Sequence, residues 1–273
     1  MLGSIIGDIV GSIYEFNNIK TKDFPLFETS MEATDDSILT LSTASWLLNG
    51  GDVAEYYADF ANRYPYPMGG YGPSFKSWAI SYNRLGKAPA YQSCGNGSAM
   101  RVGPVGWAFD TEEDVMKTAK ESAACTHNHE GGIAGAQATA LCILWARQKK
   151  SKEFIRERIT SLFQYDLSPT VEQLQQVYSW HGMPGAAWDG GTCQGSVPQA
   201  IICALNADGF EDAVRNAISI GGDSDTIGCI TGSIAETLYG IPQDIYNQGL
   251  SYLNEEFLSI VKEFEAKYPA FVI

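Results

Sequence analysis

No stretch of this 273-residue chain approaches the ~20 apolar residues that a membrane span requires, and Asp8 interrupts the apolar run near its start. Basic side chains are scarce. Against 18 Lys and Arg stand 32 Asp and Glu, a net charge of -14. Such a surface repels nucleic-acid phosphates and anionic membranes, so neither is an expected partner, and its plainest consequence is solubility. The six cysteines include no CxxC and no close pair. Cys142 and Cys203 lie inside apolar runs, a placement that suits buried free thiols in a reducing compartment. Asn96-Gly97-Ser98 spells a glycosylation acceptor, but that reading needs secretion, and Met1-Leu2-Gly3-Ser4-Ile5 has no basic leader region. A cytoplasmic protein is expected. Sustained alternation of apolar and polar residues is missing as well, which leaves few or no strands. No low-complexity linker divides the chain, so residues 1–273 are expected to form a single domain.

What is present is helical periodicity. Ile5, Ile6, Ile9, Val10 and Ile13 share one helix face, while Gly3, Gly7 and Gly11 recur every fourth residue. Glycine is a poor helix former, so three on one stripe predict close approach by another backbone. A second helix should start near Asp36 and end at Asn49-Gly50-Gly51. Thr111 is placed to cap Glu112-Glu113-Asp114-Val115, and residues 130–149 form a small-residue helix. Ser168-Pro169 reads as a cap followed by proline at the first helical position. Segments 196–207, 210–220, 226–239 and 243–267 complete the series, with Gly- and Pro-rich loops near 64–73 and 182–195. The fold class is all-α.

Four groups of residues can carry chemistry. Thr34-Asp35-Asp36-Ser37 precedes an apolar helix, where it is either an acidic N-cap or half of a cation site. Gly221-Gly222-Asp223-Ser224-Asp225-Thr226 is a glycine-flanked turn leading into another helix. Its apolar neighbours imply burial, and buried aspartates need a partner. No basic residue between Arg215 and Lys262 can supply one. A metal ion can. Oxygen-only ligands suit Mg²⁺, Mn²⁺ or Ca²⁺ and are poor for zinc. Together the clusters offer four aspartates and two threonines, enough for two divalent cations sharing a bridging carboxylate. The loop Ser93-Cys94-Gly95-Asn96-Gly97-Ser98 offers free amides to an anion, yet it is neither a Walker A sequence nor a dinucleotide fingerprint. In Thr126-His127-Asn128-His129, the i,i+2 histidine spacing with no cysteine nearby argues against zinc. A polar contact from His127 to a sugar or phosphate fits better, with His129 and His181 as surface residues.

These segments, with Gly7-Asp8, Gly11-Ser12, Tyr14-Glu15, Gly70-Tyr71-Gly72 and Met100-Arg101, resemble the ADP-ribosylglycohydrolases, in order from about residue 3 to residue 240. The resemblance implies a single-domain orthogonal helical bundle with a two-metal centre, Mg or Mn. It implies that Thr34, Asp35 and Asp36 hold one ion, and that Asp223, Thr226 and Glu15 hold the other, with Asp225 between them. Glu15, Asp35, Asp36 and Asp225 would then be catalytic. Ser93, Gly95, Asn96 and Gly97 would take phosphates and ribose, with His127, Gly70, Tyr71 and Gly72 bordering ADP-ribose. Cys94 stands where some relatives carry an aromatic residue, and Ser98 where Ala or Gly is more usual. The implied activity is removal of ADP-ribose from an arginine, a serine or another acceptor on an ADP-ribosylated protein or small molecule. Two alternatives stay open: a two-metal phosphohydrolase acting on a nucleotide, and a non-catalytic relative that only binds.

Overall fold

The computed structural model describes all residues, Met1–Ile273. It contains fifteen helices and no sheet, the only strand-like pairs being isolated bridges. In chain order the helices are α1 (Leu2–Gly11), α2 (Asp35–Asn49), α3 (Val53–Arg63), α4 (Pro73–Leu85), α5 (Gly97–Met100), α6 (Gly103–Ala108), α7 (Glu112–Ala124) and α8 (Glu130–Arg147). Then follow α9 (Lys152–Phe163), α10 (Val171–Val177), α11 (Cys193–Leu205), α12 (Phe210–Ser219), α13 (Ser224–Tyr239), α14 (Gln243–Leu250) and α15 (Glu255–Lys267). No helix is long and apolar enough to cross a membrane.

The core is organised around α1 and α13. Every residue of α1 is buried, as expected of a helix surrounded by others. Its glycine stripe meets a second one on α13. A Cβ on Gly7 would lie 1.9 Å from the Gly228 carbonyl oxygen, and one on Gly232 would lie 2.0 Å from that of Gly3. The close approach inferred from the glycine spacing is therefore this crossing. Its consequence for function is direct, because α1 carries Asp8 and the N-terminus of α13 carries Asp225. Around this pair, α2, α8, α11 and α12 pack their apolar faces into one cluster of buried hydrophobic residues.

Local signals place most helix ends. Thr34 caps α2 by accepting from the Asp36 N–H, and Thr111 caps α7 by accepting from the Asp114 N–H. Three expectations are corrected. Thr170, rather than Ser168, caps α10, because it forms a reciprocal capping box with Gln173 and leaves Pro169 outside the helix. Segment 243–267 is two helices, since Asn254 caps α15 through the Phe257 N–H and breaks the run. His129 is not a free surface histidine: its Nδ1 accepts from the Gly131 N–H and caps α8. Helices α3, α4 and α9 were not singled out from the sequence, although Asp52 and Ser151 cap two of them. All six cysteines are free thiols, four of them buried.

Candidate functional site

The two acidic clusters converge. Thr34-Asp35-Asp36 enters at the N-terminus of α2, and Asp223-Ser224-Asp225-Thr226 at the N-terminus of α13. Carboxylate oxygens of Asp8, Asp36 and Asp225 lie within 4.8 Å of one another, and so do those of Glu15, Asp223 and Asp225. Asp225 belongs to both triads. Asp35 faces the same space, where burial first, and then the charges of Asp225, Asp8 and Glu15, oppose its ionisation. Asp36 Oδ2 accepts from the Thr226 hydroxyl at 3.4 Å, linking the two helix starts.

Glu15 reaches this centre from the loop after α1, which is held by several straps. Asn18 Nδ2 donates to the Gly222 carbonyl at 2.8 Å, and the Gly222 N–H returns a bond of 2.8 Å to Asn18 Oδ1. Lys20 Nζ donates to the carbonyls of Tyr178 and Ile220. The Trp180 indole donates to the Glu15 carbonyl at 2.9 Å. On the far side, Gly69 lets the chain hug the carboxylate, since a Cβ there would sit 2.5 Å from Glu15 Oε2.

Asp8 belongs to the segments that carry the family resemblance, which gives it no ligand role. Its placement gives it a positioning task. The carboxylate accepts from the Thr34 N–H at 2.9 Å, the Thr34 hydroxyl at 2.6 Å, the Ser37 N–H at 3.0 Å and the Ser37 hydroxyl. Four donors thus occupy it, and it clamps the first turn of α2 where Asp35 and Asp36 begin. The Thr34 hydroxyl gives its proton to Asp8 and accepts from the Asp36 N–H, and Thr34 does not line the adjoining cavity.

That cavity has a volume of about 500 Å³, within the usual span for small-molecule sites. One end is the acidic centre. Gly70, Tyr71, Gly72, Ser93, Gly95, Asn96, Gly97 and His127 all line it, so every residue assigned to substrate faces one space. Arg101, which the resemblance includes without a role, and Trp180, which the sequence does not single out, line it too. The Ser93–Gly97 loop spends two amides internally: the Gly95 N–H donates to Ser93 Oγ, and the Asn96 N–H to the Gly191 carbonyl. The Asn96 side chain is buried and donates to Asp223 Oδ2 at 2.7 Å, tying the loop to the acidic centre and leaving no room for a glycan. Ser98 Oγ donates to the Gly132 carbonyl at 2.7 Å, so this departure from the family pattern is absorbed as an internal strap.

Burial is the main force on the carboxyls. It raises Asp223 to about 6 despite the Asn96 bond, and Asp8 to about 6 despite its four donors. Burial, then the charges of Asp225 and Asp8, raise Glu15 to about 8. Burial and neighbouring carboxylates also push Asp36 and Asp225 well above the ordinary range. Two buried oxygens, Asp36 Oδ1 and Glu15 Oε2, have no hydrogen-bond partner. An all-oxygen donor set with unpartnered buried atoms fits one or more hard divalent cations, whose charge would offset the repulsion.

A stability test follows. Unfolded carboxyls titrate near 3.8 and 4.5, whereas Asp8, Asp223 and Glu15 titrate near 6, 6 and 8 in the folded chain. Between those limits the folded state binds more protons, so stability falls as pH rises through this window. Carboxyls with lowered pKa, such as Asp166, titrate below it. Chelator-treated protein is therefore expected to melt at a higher temperature at pH 5 than at pH 8, and Mg²⁺ should remove the difference. Calorimetry showing the reverse trend in chelator would mean that the acidic centre is not under charge strain.

The family model of the ADP-ribosylglycohydrolases matches residues 1–269, and the chain belongs to that family. Similar curated proteins include the ADP-ribosylhydrolase ARH3 of Mus musculus, 27% identical over 89% of this chain and 83% of the relative. ARH3 of Homo sapiens is 28% identical over 89% of this chain and 85% of its own length. A solved structure titled ADP-ribosylglycohydrolase-related protein complex superposes with a TM-score of 0.71 at 23% identity, covering 97% of this chain and 95% of its own, and shows the same all-α fold.

Proposed function

We propose that this protein cleaves the glycosidic bond between ADP-ribose and a modified acceptor, with divalent cations held in the acidic centre. The observation that carries the reading is the meeting of two distant acidic clusters, with unpartnered buried oxygens on Asp36 and Glu15, at the end of a cavity lined by the glycine-rich loop. Thr34, Asp35 and Asp36 would hold one cation, and Glu15, Asp223 and Thr226 the other, with Asp225 between them. When bound, the cations supply Lewis acidity and concentrated positive charge. Mg and Mn both suit the donor set.

The chain's own residues do the rest. Asn96 fixes the Asp223 carboxylate, and Asp8 fixes the first turn of α2. The Ser93–Gly97 loop, His127 and the Gly70-Tyr71-Gly72 segment orient the diphosphate and ribose. Water adds to C1 of the ribose as the C1–acceptor bond breaks, and the acceptor leaves with a proton. Positive charge that builds on the ring in this oxocarbenium-like passage is balanced by the surrounding carboxylates, one of which takes the proton from water. The six free thiols support a reducing compartment, and we read residues 1–273 as one domain.

The test is a panel of peptides ADP-ribosylated on arginine or serine, together with ADP-ribosylated nucleic acid. Free ADP-ribose is expected from at least one member, lost in chelator and restored by Mg²⁺ or Mn²⁺. Release of inorganic phosphate without ADP-ribose would install the phosphohydrolase reading instead. No product at all, with ADP-ribose still bound, would leave a binding protein.

A further inference from the structure

Arg101 is the large charged side chain that the proposed reaction does not use. It is fully buried at the cavity wall, with its guanidinium 3.9 Å from the centre of the Tyr57 ring. Its Nη2 donates to the Ser122 carbonyl at 3.1 Å and to the Thr126 hydroxyl at 2.7 Å. Thr126 Oγ1 lies 2.8 Å from His127 Nδ1. Thr126 and His127 are themselves buried, and the tip of the imidazole abuts the glycine loop. A Cβ on Gly97 would be 3.1 Å from His127 Nε2, and one on Gly95 would be 3.5 Å from it.

We infer that Arg101, acting through Thr126, is a positioning residue that fixes His127 as the tautomer carrying its proton on Nε2, so that this N–H faces the cavity as a neutral donor. The direction of the chain follows from proton counting. A guanidinium only donates, so Thr126 Oγ1 must accept from Arg101. The one hydroxyl proton of Thr126 then has two possible acceptors, the Ala123 carbonyl at 3.5 Å and His127 Nδ1 at 2.8 Å. A ring proton on Nδ1 would leave the hydroxyl proton only the 3.5 Å contact to the Ala123 carbonyl, which already accepts from the Thr126 and His127 N–H groups, so the 2.8 Å bond runs from Thr126 to Nδ1. Nδ1 therefore carries no proton, and the single ring proton sits on Nε2. Burial, and then the Arg101 charge, hold the imidazole well below its ordinary pKa and keep it neutral.

Why a neutral donor is useful follows from the neighbourhood. Gly95 and Asn96 have spent their amides inside the protein, so Nε2–H supplies a donor on this wall for a ribose or phosphate oxygen. An unfixed ring would present a lone pair to that oxygen for part of the time. The ligand half of this inference rests on the ADP-ribose reading, and the tautomer half does not.

The test separates the two. With only three histidines in the chain, His127→Asn assigns the ring signals in long-range ¹H–¹⁵N spectra of the full-length protein. In the unliganded wild type, Nε2 is expected to show the protonated type of nitrogen shift and Nδ1 the unprotonated type. Thr126→Val should produce averaged tautomer shifts and weaken ADP-ribose binding by about twofold, in proportion to the share of rings holding the wrong tautomer. Thr126→Ser, which keeps the hydroxyl, should restore both. A proton on Nδ1 in the wild type would overturn the inference, even if Thr126→Val failed to fold. Unchanged shifts in a folded Thr126→Val protein would overturn it too. The expected shifts without any binding of ADP-ribose would uphold the relay and count against the ligand assignment alone.

Discussion

Asp225→Asn is expected to lower the rate of ADP-ribose release by about a thousandfold, or ~4 kcal/mol of transition-state stabilisation, while raising the melting temperature of the metal-free protein. Both effects come from one position. Asp225 is the carboxylate shared by the two triads, so its loss removes a charge from both candidate cation positions. In chelator the same charge is a liability, buried beside Asp223 and Asp8 with no cationic side chain bonded to it. Asparagine keeps the shape, and its carbonyl can still accept the 2.9 Å bond from the Thr226 N–H that Asp225 Oδ1 now takes. The gain is expected to be a few degrees, since a chain of this size shifts by ~2–4 °C per kcal/mol. Steady-state kinetics and calorimetry at pH 8 check the pair. A melting temperature that fell in chelator would make Asp225 a structural residue and remove the reason to invoke a cation.

Gly7→Ala is expected to be among the most damaging small substitutions in the chain. The added methyl would sit 1.9 Å from the Gly228 carbonyl oxygen and 2.4 Å from its carbon, both backbone atoms that cannot swing aside. The helices must part, and overpacking of this severity costs upward of ~3 kcal/mol. The melting temperature should drop by about 10 °C or the protein should fail to accumulate. Because α1 and α13 carry Asp8 and Asp225, any folded fraction should also bind Mn²⁺ more weakly. Gly209→Ala is the control: it lies in extended backbone at the N-cap of α12 with nothing within 4 Å of the new methyl, and should cost no more than about 1 kcal/mol, through the weaker cap alone. Equal stability of the two variants would mean that α1 and α13 do not cross as closely as described.

The contrast between these two positions shows what could be read in the residues. The glycine period on α1 announced a close neighbour, but α13 could not be named as that neighbour, since Gly228 and Gly232 stand in an ordinary-looking apolar helix. Thr34-Asp35-Asp36 and Asp223-Ser224-Asp225-Thr226 were visible because acids adjacent to each other and to apolar residues need an explanation. Asp8 was not chosen, because a single acid in an apolar helix carries no spacing signal. Its meaning lies in four donors from residues 34 and 37, which only the fold brings near. Arg101 was passed over for a similar reason: nothing in Ala99-Met100-Arg101 tells that the guanidinium turns inward to Thr126. Of the helices that were missed, α3 carries a capping Asp52 and a regular apolar face at Val53, Tyr57, Phe60 and Ala61 and was legible, whereas α4 and α9 bury only a few residues each, and Asn254 could not be told from a residue inside a longer helix.

Crystals of the wild-type protein grown with Mn²⁺ offer the decisive observation, read as anomalous difference density at the manganese edge. Strong peaks bounded by the carboxylates of Asp36, Asp223 and Asp225, with Glu15 alongside, are the predicted result. A map with no peak there, at manganese concentrations that saturate any activity, would contradict the idea that this cluster exists to hold cations.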